Sequence, residues 1–169
     1  MSEKAGIEIE RKFVIEKPDL LLIEKVCGYT KSEILQIYLD SDPGQTRRIR
    51  KRTFGEGTFY SETRKIRIDK MSATEIERSI SEEEFLRLSE MRRSGTAPVN
   101  KVRHTFPYRG HTFEIDVYPQ WKKSSIMEVE LEDEKESVEL PPFVKIVREV
   151  TGNKEYSNAS MSRSFPKED

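Results

Sequence analysis

The sequence predicts an α+β fold in which about eight antiparallel strands close into a β-barrel with a charged interior and helices packed on its outside. Three observations carry this. Segment after segment alternates apolar and charged residues with a period of two, the signature of strands. Short turn signals separate neighbouring segments, which joins them as an antiparallel meander. On strand after strand the polar parity is charged, and the charges cluster by sign, so this face requires counter-ions of its own.

Composition agrees with such a fold. The 169 residues fit a single domain, 1–169, large enough to bury a core without disulfides. Charged residues make up 36% and hydrophobic ones only 34%, a polar balance that a charged interior explains. Thirty basic and 31 acidic residues give a net charge of −1, which excludes the one-signed surface of a nonspecific nucleic-acid binder. The lone Cys27 excludes an internal disulfide and a cysteine zinc site, and reads as a buried structural thiol. With no signal peptide and no apolar run long enough to span a bilayer, the expected location is cytoplasmic.

The first strand spans 6–14, with Ile7, Ile9 and Phe13 on one side and Glu8, Glu10 and Lys12 on the other. A helix follows from Pro18 and Asp19 through Leu20–Ile23 and Val26 to a Gly28 stop. Strands 34–40 and 46–52 flank Asp42-Pro43-Gly44, and Gly55-Glu56-Gly57 leads to strands 58–69 and 74–80. Ser81 and Glu84 form a capping box for a helix with Phe85, Leu86, Leu88 and Met91 along one stripe. Strands 100–106 and 111–118 form a hairpin around Pro107-Tyr108-Arg109-Gly110, and 126–132 is the eighth strand. Pro141-Pro142-Phe143 predicts a third helix ending at Gly152. The tail from Asn153 carries too few apolar residues to predict an element.

Parity places Glu8, Glu10, Lys12, Arg48, Arg50, Arg52, Lys65, Arg67, Glu75, Glu77, Lys101, Arg103, Glu114, Asp116, Glu128 and Glu130 on one common face. Side chains at i and i+2 lie roughly 7 Å apart, so Glu128/Glu130 and Arg48/Arg50 repel unless a counter-ion lies between them. The acid pairs offer hard oxygen ligands suited to Mg²⁺ or Mn²⁺, and the basic set suits a short chain of phosphates. A metal-bound polyphosphate satisfies both. A barrel lined this way holds water, cations and ligand, because an unpaired buried ion costs several kcal/mol.

These motifs resemble the CYTH superfamily, the triphosphate tunnel metalloenzymes. Glu8-Ile9-Glu10-Arg11-Lys12 resembles its E-x-E-x-K signature, and Arg48-Ile49-Arg50 its phosphate-gripping R-x-R strand. Thr63-Arg64-Lys65, Glu75-Ile76-Glu77, Lys101-Val102-Arg103, Phe113-Glu114-Ile115-Asp116-Val117 and Glu128-Val129-Glu130 resemble the family's later strands in order. Lys154-Glu155-Tyr156-Ser157-Asn158 is similar to its K-x-Y-S-N element. Arg64 departs from the family's usual apolar residue and is expected at a rim or under a helix.

The resemblance implies an eight-stranded tunnel and a metal-dependent triphosphatase. By it, Glu8, Glu10, Asp116, Glu128 and Glu130 hold Mg²⁺ or Mn²⁺. Lys12, Arg48, Arg50, Lys65, Lys101, Arg103 and Lys154 bind the triphosphate, and Glu75 and Glu77 stand with Glu8, Glu10 and Lys12 near the reacting group. The substrate is inorganic triphosphate or a small organic one. The alternatives are adenylate cyclase chemistry on ATP and a non-catalytic polyphosphate or nucleotide module. A homodimer is compatible with the sequence; a membrane and a long nucleic acid are not expected, since half of Arg47–Arg52 faces outward and the acids repel a polymer. His104 and His111 read as outer-face or turn residues, and Trp121 and Phe59 as packing.

Overall fold

The protein, described here from a computed structural model covering residues 3–168, is built on nine strands. β1 (Glu3–Glu16), β2 (Thr30–Leu39), β3 (Gln45–Phe54), β4 (Gly57–Arg67), β5 (Ser72–Ser79), β6 (Val99–Tyr108), β7 (His111–Val117) and β8 (Ser124–Leu131) follow the predicted order. They run β5-β4-β3-β2-β6-β7-β8-β1, and β5 pairs back onto β1, so eight antiparallel strands close into a barrel. Closure depends on the length of β1. Its residues 3–9 pair with β5 on one side, while residues 9–16 pair with β8 on the other.

α1 (Leu20–Ile23) and α2 (Glu82–Ser89) lie on the outside. In α2 the Ser81 hydroxyl accepts from the Glu84 amide at 3.0 Å, the predicted cap, and three acids occupy the first turn, where the helix dipole favours them. Its buried residues Phe85 and Leu88 pack on Ile37, Leu39, Ile49 and Ile80. α1 is a single turn, capped by Asp19, with Ile23 buried under the outer face of β1, β6, β7 and β8. Gly28 then turns the chain with φ +88°, and a Cβ there would stand 3.0 Å from Pro107.

Three expectations are corrected. The segment expected as a third helix ending at Gly152 contains β9 (Ile146–Glu149), which pairs with β1 at residues 13–15. The physical reason is an open edge: β5 leaves β1 after Ile9, and the backbone groups beyond it need partners. The tail does form structure, a 3-10 turn at Lys154–Tyr156 and α3 (Asn158–Met161), capped by Asn153 and Ser157. Cys27 is exposed, because α1 ends before it and the surrounding turn faces solvent.

The tail matters because of where it packs. Tyr156 and Met161 join Val14, Tyr38, Val99, Tyr118, Trp121, Ile126 and Val150 in one buried cluster. Val14, Val99 and Ile126 have the parity of Lys12, Lys101 and Glu128, so this cluster fills one end of the barrel's interior. The Trp121 indole donates to the Pro166 carbonyl at 2.9 Å, and the Glu168 carboxylate accepts from the amides of Lys122, Lys123 and Ser124. Elsewhere the outer face stays open, with Ile7 68% and Ile68 54% exposed.

Candidate active site

A cavity of about 610 Å³ occupies the rest of the barrel's interior. Glu8, Glu10 and Lys12 of β1, Arg48 and Arg50 of β3, Lys65 of β4, Glu75 of β5, Arg103 of β6 and Glu128 of β8 all line it, as does Lys154 of the tail. Strand pairing sets their spacing. Lys12 lies directly across from Glu128, Glu10 from Glu130, and Lys65 from Glu75. Four predicted residues stand away from the wall. Lys101 and Asp116 are buried behind it, Glu77 accepts from the Thr63 hydroxyl at 3.1 Å, and Glu130 is exposed.

The carboxylates sit in pairs. Burial, then the neighbouring Glu128, pushes the Glu10 carboxyl up to about 8. Burial would also raise Glu128, but Lys12, 3.3 Å away, with Arg103 and Lys101, holds it well below the usual range. The two carboxyls are thus pushed in opposite directions. Burial and Glu8 likewise raise Glu75, while Lys65, 2.7 Å from Glu8, outweighs the burial of Glu8 and keeps it ionised.

The cations are arranged differently. Asp116, 1% exposed, takes Lys101 at 2.6 Å on one oxygen and the Arg103 fork at 2.7 and 2.8 Å across both. Against its burial, Arg103 and Lys101 lower its carboxyl to about 2. One carboxylate thus serves two cations, and burial brings Lys101 down to about 7. Arg50 is lowered to about 9 by burial and by its neighbours Arg48 and Arg103. The Arg48 Nε is buried without a hydrogen-bond partner among the described residues. Such a cluster is short of negative charge, the condition of an anion site.

Sequence reading missed Tyr38 on this wall and Gln36 behind it. Gln36 accepts from Arg50 through one amide oxygen, and Tyr38 lies directly across from Arg48 while lining the cavity. The signal was present, since both fall on the inward parity of a strand placed between β3 and β6. The tail also holds Lys12 in place: its amide donates to the Thr151 hydroxyl at 3.0 Å, and its carbonyl accepts from Val150 at 2.8 Å.

Among the described residues no three carboxylates converge as a ready-made metal centre, because Lys65 and Lys12 occupy Glu8 and Glu128. The donor chemistry nevertheless fits a hard divalent cation. Glu8, Glu10, Glu75 and Glu128 offer oxygen ligands on one wall, the donor type such a cation prefers.

A CYTH domain model matches residues 6–165. The chain belongs to the CYTH domain family. Among solved structures, the inorganic triphosphatase NE1496 is 28% identical, covering 95% of this chain and 97% of its own, with a TM-score of 0.60. PH1819 from Pyrococcus horikoshii OT3 is 24% identical over 76% of this chain and 80% of its own, TM-score 0.58. A putative adenylate cyclase from Bacillus halodurans is 17% identical over 78% and 83%, TM-score 0.55; these last two share the fold. No curated protein is significantly similar to the chain. The CYTH match spans every strand of the barrel except the first three residues of β1, and reaches the tail that completes the cavity. Among the described residues no helix is long and apolar enough to cross a membrane.

Proposed function

We propose that this CYTH protein is a divalent-metal-dependent hydrolase of inorganic triphosphate or a small organic triphosphate. The observation that carries the reading is the mixed lining of one cavity: Arg48 and Arg50, which have no carboxylate within ion-pair distance among the described residues, and the acid-paired Arg103, on the same cavity as paired carboxylates of β1, β5 and β8. The 28% identity to an inorganic triphosphatase supports the same chemistry. Among the described residues lining the cavity, Tyr38 is the one aromatic ring, which suits a short phosphate chain better than a base to be stacked.

Phosphoryl transfer needs positioning and charge neutralisation more than covalent help. Arg48, Arg50, Arg103, Lys65 and Lys154 bind and align the phosphates, with Lys101 behind them as part of the Asp116 network. Glu8, Glu10 and Glu128 would hold Mg²⁺ or Mn²⁺, with Glu75 on the same wall, Glu130 exposed outside the cavity, and Asp116 fixing the cations beside them. When bound, the metal supplies charge for the phosphate oxygens and lowers the pKa of a water. Lys12, between Glu10 and Glu128, orients the carboxylates and reaches the terminal phosphate, while Glu75 flanks that end and Glu77 stands behind Thr63. The small-molecule substrate and the metal are the partners this reading requires.

Phosphate release from tripolyphosphate, ATP and thiamine triphosphate, each with Mg²⁺ and with Mn²⁺, tests it, with cyclic AMP measured in the ATP arm. Turnover of at least one triphosphate to phosphate is expected. Cyclic AMP formation would establish the cyclase alternative, and tight binding without turnover the non-catalytic one. Absence of any triphosphate binding would sink the assignment of the cavity.

A further inference from the structure

We infer that Gln36, on the inner face of β2, is the positioning residue of the phosphate-binding arginines, a neutral acceptor that fixes the Arg50 guanidinium without cancelling its charge. The inference rests on the triphosphate reading above and assigns a role within that site.

Gln36 is 0% exposed, in the interior of the strand, and a buried amide is costly unless its hydrogen bonds are made. They are made to one purpose. Its Oε1 accepts from Arg50 Nη2 at 2.6 Å and from Nε at 3.1 Å, and its Nε2 donates to the Tyr38 hydroxyl at 3.4 Å. The fork occupies the Nε–Nη2 edge of Arg50. Nη1 and the second Nη2 hydrogen are left as donors for a ligand.

Three other cations of the wall are held by acids. Lys65 is on Glu8, Lys12 on Glu128, and Arg103 on Asp116 and Glu114, the last at 2.5 Å. A carboxylate would bond Arg50 more strongly than an amide does. It would also remove the positive charge that a polyanion needs. The charged groups acting on Arg50 are Arg48, Arg103, Asp116 and Lys101, and Asp116 is already shared between Arg103 and Lys101. The amide therefore preserves the positive surplus while restricting the guanidinium to one orientation, which reduces the ordering cost of binding.

The test compares wild type, Gln36→Glu and Gln36→Met by calorimetric titration with tripolyphosphate in EDTA, by metal-supported phosphate release, and by thermal unfolding to establish that each folds. Gln36→Glu is nearly isosteric and is expected to weaken tripolyphosphate binding roughly ten- to a hundredfold at neutral pH. Its deficit relative to wild type is expected to shrink as pH falls and the introduced carboxyl protonates. Gln36→Met keeps the charge but frees the fork, so its deficit is expected to be smaller and independent of pH, appearing in KM more than in kcat. Wild-type binding with equal affinity in Gln36→Glu would overturn the inference while leaving the triphosphate reading intact. A pH-independent loss equal in both variants would also overturn it, as a packing effect. Failure of wild type to bind tripolyphosphate would overturn the triphosphate reading itself.

Discussion

Glu10 and Lys12 show how much chemistry one strand carries. Both line the cavity, and after burial the largest influence on each is Glu128 of β8, directly across from Lys12. Glu10→Gln and Lys12→Ala are each expected to lower metal-dependent phosphate release by about a hundredfold or more, with far-UV circular dichroism unchanged. Asp116 behaves differently because it is buried between two cations. Asp116→Asn leaves those cations uncompensated and is expected to destabilise the fold by about 3–5 kcal/mol, read from urea unfolding. The motif residues themselves were legible because charge at alternate positions is a local pattern. Gln36 was not, since a single amide on a strand has no meaning until its neighbour across the sheet is known to be Arg50.

At the scale of elements, strands were readable and the segments after β8 were not. Period two identifies a strand wherever one face is apolar, as in β1, β7 and β8, and the cap of α2 is written in Ser81 and Glu84. β9 and α3 are each four residues long, too short for periodicity to declare. Their stability comes from what they meet: an open stretch of β1 in one case and the apolar end of the barrel in the other. Met161→Ala removes a side chain 2% exposed from that end, and is expected to cost about 2–5 kcal/mol in denaturant unfolding. Because the same segment holds Lys12 through Thr151 and Val150, this variant is also expected to raise KM for tripolyphosphate.

Across the whole molecule the charges divide between the cavity wall inside and ion pairs that fasten strands together outside. On the outer face Glu62, 3% exposed, bonds Arg47 at 2.6 Å and also Arg78, tying β3, β4 and β5 together. Its burial raises its carboxyl, but Arg47 and Arg78 outweigh this and hold it below the usual carboxylate range. Its folded pKa thus lies under the unfolded value of about 4.3. The stability it contributes is present above that value and is lost as pH falls through the folded one. Glu62→Gln is therefore expected to lower Tm at pH 7 while narrowing the difference from wild type below pH 4, measured by calorimetry. The sequence by itself determined the strands, their inward charges and the family pattern, because backbone pleating converts alternate positions into one face without reference to anything distant. Only the tertiary structure decided that β5 closes on β1, that the tail fills one end of the barrel, and which cation is held by an acid and which by an amide. Those outcomes depend on contacts between residues far apart in the chain, where register and burial, rather than local pattern, set the energy.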